Sequence, residues 1–225
     1  MSMGLDAKRA GAAKGEATSL VIFLHGYGAN GSDLLSLAEP LAPHLPDTAF
    51  LSPDAPEVCA GVPFGFQWFA IPWIDGSSQD ESEAGMRRAA EDLDAWLDEV
   101  MQDEGIAPSR TILLGFSQGT MMALQVAPRR SPPFAGIVGF SGRLLDPEAL
   151  EDEMVSRPPI LLIHGDADDV VPIEAMPEAG NALSALGFDV YAHIMKGTGH
   201  GIAPDGLSVA LAFMRERFGM MPARG

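Results

Sequence analysis

A chain of 225 residues that is 47% hydrophobic is long enough to bury a sizeable core, and a single domain of that length is ordinary. Its 31 Asp and Glu against 14 Lys and Arg give a net charge of −17, which repels nucleic-acid phosphates and anionic membrane surfaces over the roughly 8–10 Å that salt permits. The single cysteine, Cys59, excludes an internal disulfide and any paired-cysteine metal or redox motif.

Residues 1–18 mix charge with Gly and Ala and read as a loose tail, so the single domain is expected over 19–225. They lack the apolar run of an export signal, and no stretch approaches the roughly 20 apolar residues of a membrane span. The expected location is therefore cytoplasmic, without stable membrane insertion. From there on, short apolar runs recur as LVIFLHG (20–26), TAFLSPD (48–54), TILLGFS (111–117), AGIVGFSG (135–142), PILLIHG (159–165) and DVYAHIM (189–195). Most are continuous rather than alternating, as buried parallel strands are. Helical periodicity fills the gaps, most clearly in 83–102, where Met86, Ala89, Leu93, Trp96, Leu97 and Val100 recur on one face, and in 207–218. Strand alternating with helix predicts an α/β fold with a mostly parallel central sheet covered on both faces. Two stretches look irregular: 53–80, rich in Gly, Pro and aromatics, and 144–159, which is too short for a large cap domain.

Gly115-Phe116-Ser117-Gln118-Gly119 fits G-x-S-x-G, in which glycines let a strand turn tightly into a helix and expose the serine hydroxyl. TILL before it and TMMALQVA after it supply that strand and that helix, so Ser117 is the candidate nucleophile. A serine hydroxyl needs a base to take its proton, and the base needs a carboxylate to hold its tautomer. His164 and His193 lie in strand-like runs and read as packed or strand-surface residues. His200 instead lies in the Gly-rich loop 196–201 between a strand and the last helix, and is the candidate base. The loop after PILLIHG offers Asp166, Asp168 and Asp169 as the acid, and spacing does not choose among them. At the other end, HGYG (25–28) follows the first strand; its glycines allow close backbone approach, and the N–H groups of Tyr27 and Gln118 can together hold an oxyanion. His25 is then structural. Ser141 has its second glycine one position early, and Cys59 has no turn around it; neither competes with Ser117.

With HGYGANGSDL, GFSQGTMMAL, HGDADDVVP and GTGH in this order, the chain resembles the phospholipase/carboxylesterase family of α/β hydrolases, the small carboxylesterases and acyl-protein thioesterase-like enzymes, over roughly residues 20–218. The resemblance implies the α/β-hydrolase fold and a Ser-Asp-His triad with no metal or cofactor. Its acid position matches Asp168, its base His200, and its oxyanion donors Tyr27 and Gln118. Two departures stand out: Tyr27 where members often carry leucine, and Thr120 where they often carry a second glycine.

The function expected is a serine carboxylesterase acting through an acyl-enzyme on small-molecule esters with short to medium acyl chains. An acyl-protein or other thioesterase, or a lysophospholipase, is the alternative within the family. A non-catalytic protein holding an apolar ligand in the same fold is the alternative outside it. The aromatic segment supplies the expected substrate pocket, with Trp68, Phe69, Ile71 and Trp73 as its wall. Neutral esters are expected to outrun acyl-CoA because of the net charge. A nucleic-acid partner is not expected, and oligomeric state, a homodimer included, is left open.

Overall fold

The computed structural model describes residues 4–59 and 61–220. In chain order the elements begin with β1 (Ala7–Gly11), β2 (Ser19–Leu24), α1 (Gly31–Leu35), α2 (Ala38–Leu41) and β3 (Thr48–Pro53). Between β3 and α4, the described residues of the irregular stretch form β4 (Glu57–Val58), β5 (Phe66–Gln67) and the single turn α3 (Pro72–Asp75). There follow α4 (Gln79–Glu104), β6 (Thr111–Phe116), α5 (Gln118–Val126), β7 (Gly136–Phe140) and α6 (Pro147–Glu153). The chain ends with β8 (Ile160–Gly165), α7 (Ala175–Ala185), β9 (Val190–Met195) and α8 (Pro204–Arg217).

Seven strands form one sheet in the order β1-β3-β2-β6-β7-β8-β9. β1 runs antiparallel to β3, and every other neighbouring pair is parallel. The unbroken apolar runs follow from this layering. In β2, Leu20, Ile22 and Leu24 point into a core shared with α4 and α5, whereas Val21 and Phe23 point into a second core shared with α1, α2 and α8. α4 forms where its sequence punctuates it. Ser78 and Glu81 make a reciprocal capping box at its start, and Gly105 in the left-handed conformation closes its end. Its buried face, Ala89, Leu93, Trp96, Leu97 and Val100, is the one its periodicity predicts.

Residues 144–159 hold only the seven-residue α6, so no large cap covers the sheet. The N-terminal segment departs from expectation. Within the expected loose tail, Ala7–Gly11 forms an edge strand, registered from Ala7 opposite Pro53 to Gly11 opposite Ala49. An edge strand needs a backbone partner on one side only, so it carries no apolar run to announce it. Arg9 fixes it further through two hydrogen bonds, Nε at 2.8 Å and Nη2 at 2.9 Å, to the carboxylate of Glu104 at the end of α4. Residues 1–3 and 221–225 of the expected tail and domain lie outside the described residues.

This topology places the candidate residues. β2 and β6 are neighbours, but the chain leaves β2 toward β3 on one side and leaves β6 toward β7 on the other. The crevice outside the carboxyl ends of such a pair is where open α/β sheets bind ligands.

Candidate active site

Ser117 is the residue between the end of β6 and the start of α5, at φ 53° and ψ −115°. A side chain rarely adopts this conformation, and holding one there costs about 1–3 kcal/mol. Surrounding contacts enforce it. The Ser117 N–H donates to the carbonyl of Phe140 at 2.8 Å, and its own carbonyl accepts from Thr120 N–H at 3.0 Å. The flanking glycines are required by space. A Cβ on Gly115 would sit 2.4 Å from the Gly119 backbone, and one on Gly119 would sit 1.8 Å from the Leu24 carbonyl oxygen.

The other loops converge on this turn. Gly26 comes so close to it that a Cβ there would be 3.3 Å from that of Ser117. Tyr27 N–H and Gln118 N–H donate to no protein group among the described residues, and the second is the first free N–H of α5. The His200 ring packs against Phe116, the residue before Ser117, with centroids 4.9 Å apart. Its Nδ1 lies 2.8 Å and 3.0 Å from the two carboxylate oxygens of Asp168.

Among the three acids, Asp168 alone contacts His200. Its carboxylate is fully buried and also accepts from Val170 N–H at 3.0 Å and Val171 N–H at 2.9 Å. Burial by itself pushes this carboxyl up, but the His200 bond and the two backbone N–H groups outweigh it and hold the group below the usual carboxylate value. Asp166 instead ties the two loops together. Its carboxylate accepts from Gly197 N–H at 2.6 Å and faces Lys196 Nζ at 3.2 Å. Gly165 permits that closeness, since a Cβ there would stand 2.2 Å from the Thr198 carbonyl oxygen. Asp169 is exposed.

The remaining histidines fall where their sequence context puts them. His164 is buried, with Nε2 donating to the Val171 carbonyl at 2.8 Å, and His193 pairs with Asp205 at 2.9 Å. His25 is fully buried: its Nδ1–H donates to the Gly26 carbonyl at 2.8 Å and its Nε2 accepts from Ala55 N–H at 3.0 Å. Burial depresses its basicity below the ordinary imidazole value. Ser141 and Cys59 are both buried.

The aromatic segment splits in two. Phe69, Ile71 and Trp73 line a 330 Å³ cavity together with Met86, Met121 and Leu145. Trp68, expected beside them, is fully buried under the crevice, where its indole N–H donates to the His25 carbonyl at 2.9 Å. A large ring with a satisfied N–H is a core residue, and the correction to the expected pocket wall follows from that. Its backbone is held in turn by the Gln118 side chain, which accepts from Trp68 N–H at 2.9 Å and donates to the Phe69 carbonyl at 2.7 Å. No spacing in the sequence signals this clamp, because it joins residues 50 positions apart. Nor does any motif signal Asp75, which accepts from Ile71 N–H at 2.8 Å and from the Tyr27 hydroxyl at 3.4 Å. Burial first, then Cys59 and Asp75, push that phenol above its ordinary value.

A mostly parallel sheet, a strained serine at the strand-to-helix turn and a His–Asp pair at the same strand ends define an α/β hydrolase. The chain belongs to the phospholipase/carboxylesterase family, whose model matches residues 6–217. It is a hydrolase of that esterase and acyl-protein thioesterase family. Among solved structures it is similar to esterase PE8, at 45% identity with a TM-score of 0.89, covering 95% of this chain and 99% of that one. An acyl-protein thioesterase 1 of Gibberella zeae is 29% identical over 96% of this chain and 98% of its own. Esterase YpfH of Escherichia coli is 29% identical over 88% and 83%. No helix among the described residues is long and apolar enough to cross a membrane.

Proposed function

We propose that the protein is a cytoplasmic serine carboxylesterase that hydrolyses small-molecule esters with short to medium acyl chains through an acyl-enzyme. The observation that carries this reading is the crevice at β2 and β6, where Ser117 sits on an enforced turn beside a histidine oriented by a buried carboxylate. In the proposed cycle His200 Nε2 takes the Ser117 proton as Oγ attacks the ester carbonyl. Tyr27 N–H and Gln118 N–H receive the oxyanion, which strengthens their hydrogen bonds as charge develops. The imidazolium then gives its proton to the departing alcohol, and the neutral ring activates the water that releases the acid. Asp168 keeps His200 in the tautomer with the proton on Nδ1 throughout. No nucleic acid, metal or cofactor enters this cycle.

The cavity supports the chain-length preference. Its 330 Å³ lies at the small end of ligand sites, and each methylene it covers favours binding by about 0.8 kcal/mol until the chain outgrows it. Thioester hydrolysis is the second reading, supported by the acyl-protein thioesterase named among the relatives. A panel of para-nitrophenyl esters, acyl thioesters, acyl-CoA and lysophospholipid, run with the Ser117→Ala protein, separates the two. The expected result is a maximum in kcat/KM at acyl chains of about four to eight carbons and a loss on the order of 10⁴–10⁶ in Ser117→Ala. Equal rates in Ser117→Ala would overturn the assignment, and a preference for long-chain thioesters would replace the ester reading with the second.

A further inference from the structure

The cavity walled by Met121, one helical turn along α5 from the proposed nucleophile, is not purely apolar: Arg87 from α4 and Arg143 from the loop after β7 both line it. In a chain with more than twice as many acids as bases, most described basic side chains hold a carboxylate or a carbonyl oxygen. Arg9 holds Glu104, Arg88 faces Glu57, Arg129 holds Glu153, Arg130 holds Asp94 and Asp98, and Lys196 faces Asp166. Arg87 and Arg143 make neither an ion pair nor a side-chain hydrogen bond among the described residues. The two carboxylates that line the same cavity pair with neither arginine. Glu83 accepts from Gln79 Nε2 at 3.1 Å, and Asp146 accepts from Ala149 N–H at 3.0 Å as the cap of α6. Two guanidiniums that pair with no described residue, one of them half-buried, therefore border a chamber whose apolar wall is Phe69, Ile71, Trp73, Met86, Met121 and Leu145.

A guanidinium presents its donors in a planar fork that matches a carboxylate, and the fork is stronger where water is partly excluded. We propose that Arg87 and Arg143 bind a carboxylate at the far end of the substrate's acyl group. The preferred substrate is then the monoester of an aliphatic dicarboxylic acid. This rests on the esterase reading and names its substrate class. The methylenes lie against Phe69, Ile71, Met86, Met121 and Leu145, and the terminal carboxylate meets the two arginines. The charge belongs to the acyl part because that part stays bonded to Ser117 through both half-reactions, and the cavity is walled by Met121, one helical turn along α5 from Ser117. The expectation of a neutral substrate is reversed locally. The net charge of −17 acts over a screened distance, whereas the two guanidiniums act at contact.

The test compares the mono-para-nitrophenyl esters of adipic and suberic acid with para-nitrophenyl hexanoate and octanoate at moderate salt. Spontaneous hydrolysis is subtracted. Wild type is expected to show a kcat/KM ratio of charged to neutral ester above one. The ratio should fall about 10- to 100-fold in Arg87→Gln/Arg143→Gln, as expected for loss of charge-assisted hydrogen bonds. Arg143→Lys should restore part of the loss, and Arg88→Gln should leave the ratio where it is. A second readout needs no turnover: suberate should bind the Ser117→Ala protein by calorimetry, and the binding should be lost when both arginines are also changed. A ratio below one, or one that the double change leaves in place, overturns the proposal while neutral-ester turnover keeps the esterase reading intact. A preference for esters charged on the alcohol side overturns it equally. If neither charged nor neutral esters are hydrolysed the esterase reading fails, and suberate binding alone then decides whether the two arginines form an anion site.

Discussion

Gly119→Ala tests whether the turn at Ser117 is enforced from outside. A Cβ at 119 would lie 1.8 Å from the Leu24 carbonyl oxygen and 2.4 Å from its carbon, where ordinary contact begins near 3.4 Å. Both partners are backbone, so no rotamer change relieves the overlap, and β2 and α5 must part by more than an ångström. Overpacking of this kind costs up to about 3 kcal/mol or more, against a helix-propensity gain of about 1 kcal/mol for alanine over glycine. A net loss of about 2 kcal/mol corresponds to a fall in Tm of roughly 4–8 °C in a chain of this size. The displaced strand end carries His25, Gly26 and Tyr27, so kcat should fall about 10²-fold through misplacement of the oxyanion donor alone. Gly180→Ala in α7 is the matched control. There the new Cβ meets only Val190 and Leu162 side chains at 3.9 and 4.0 Å, and the helix should gain about 0.5–1 kcal/mol. Calorimetric melting with ester hydrolysis on both proteins reads the pair. A Gly119→Ala protein that melts with wild type and keeps its kcat would refute the steric argument.

Substituting Asn at Asp166, Asp168 and Asp169 in parallel should give the largest activity loss at Asp168, on the order of 10²–10⁴ in kcat, because only that carboxylate contacts His200; a worse Asp169→Asn in a folded protein would contradict it. Trp68→Ala should cost about 3–5 kcal/mol in urea unfolding, whereas Trp73→Ala, 68% exposed, should stay within about 0.5 kcal/mol, and equal costs would refute their separation into core and cavity wall. His25 supplies a pH dependence of definite sign. The folded protein holds it neutral, and the unfolded chain takes up a proton near the ordinary value of 6.5. Stability must therefore fall as pH drops through that value, by at most about 1.4 kcal/mol per pH unit from this group. Urea midpoints across this range, with the His25 ring followed by NMR, check it, and a His25 that charges in the folded state near 6.5 would rule it out.

Features whose cause lies within a few residues were legible in the sequence. The turn at Ser117 is one, because the glycines that make room for it are its own near neighbours, and α4 is another, since cap, periodicity and stop are all written along it. Spacing narrowed the acid to three, and only the family resemblance singled out Asp168. Which aspartate reaches the histidine depends on how the loops after β8 and β9 pack, and Asp166, the nearest rival, is drawn off by Gly197 and Lys196 instead. β1 left no trace because its pairing is made by backbone groups that every sequence has.

The side chain of Gln118 was hidden for a related reason, and it changes how the site holds together. Sequence gave Gln118 a role through its backbone N–H only. In the structure its buried amide spans Trp68 N–H and the Phe69 carbonyl, while Trp68 in turn donates to the His25 carbonyl at the start of the oxyanion loop. One residue thus joins the turn that carries Ser117, the segment that lines the cavity and the loop that carries Tyr27. Each of these buried polar groups would be left without a partner if the others moved, a penalty of about 1–3 kcal/mol apiece. The network therefore resists small displacements of any one loop. Pre-set donors need that resistance if they are to meet a developing oxyanion without reorganising.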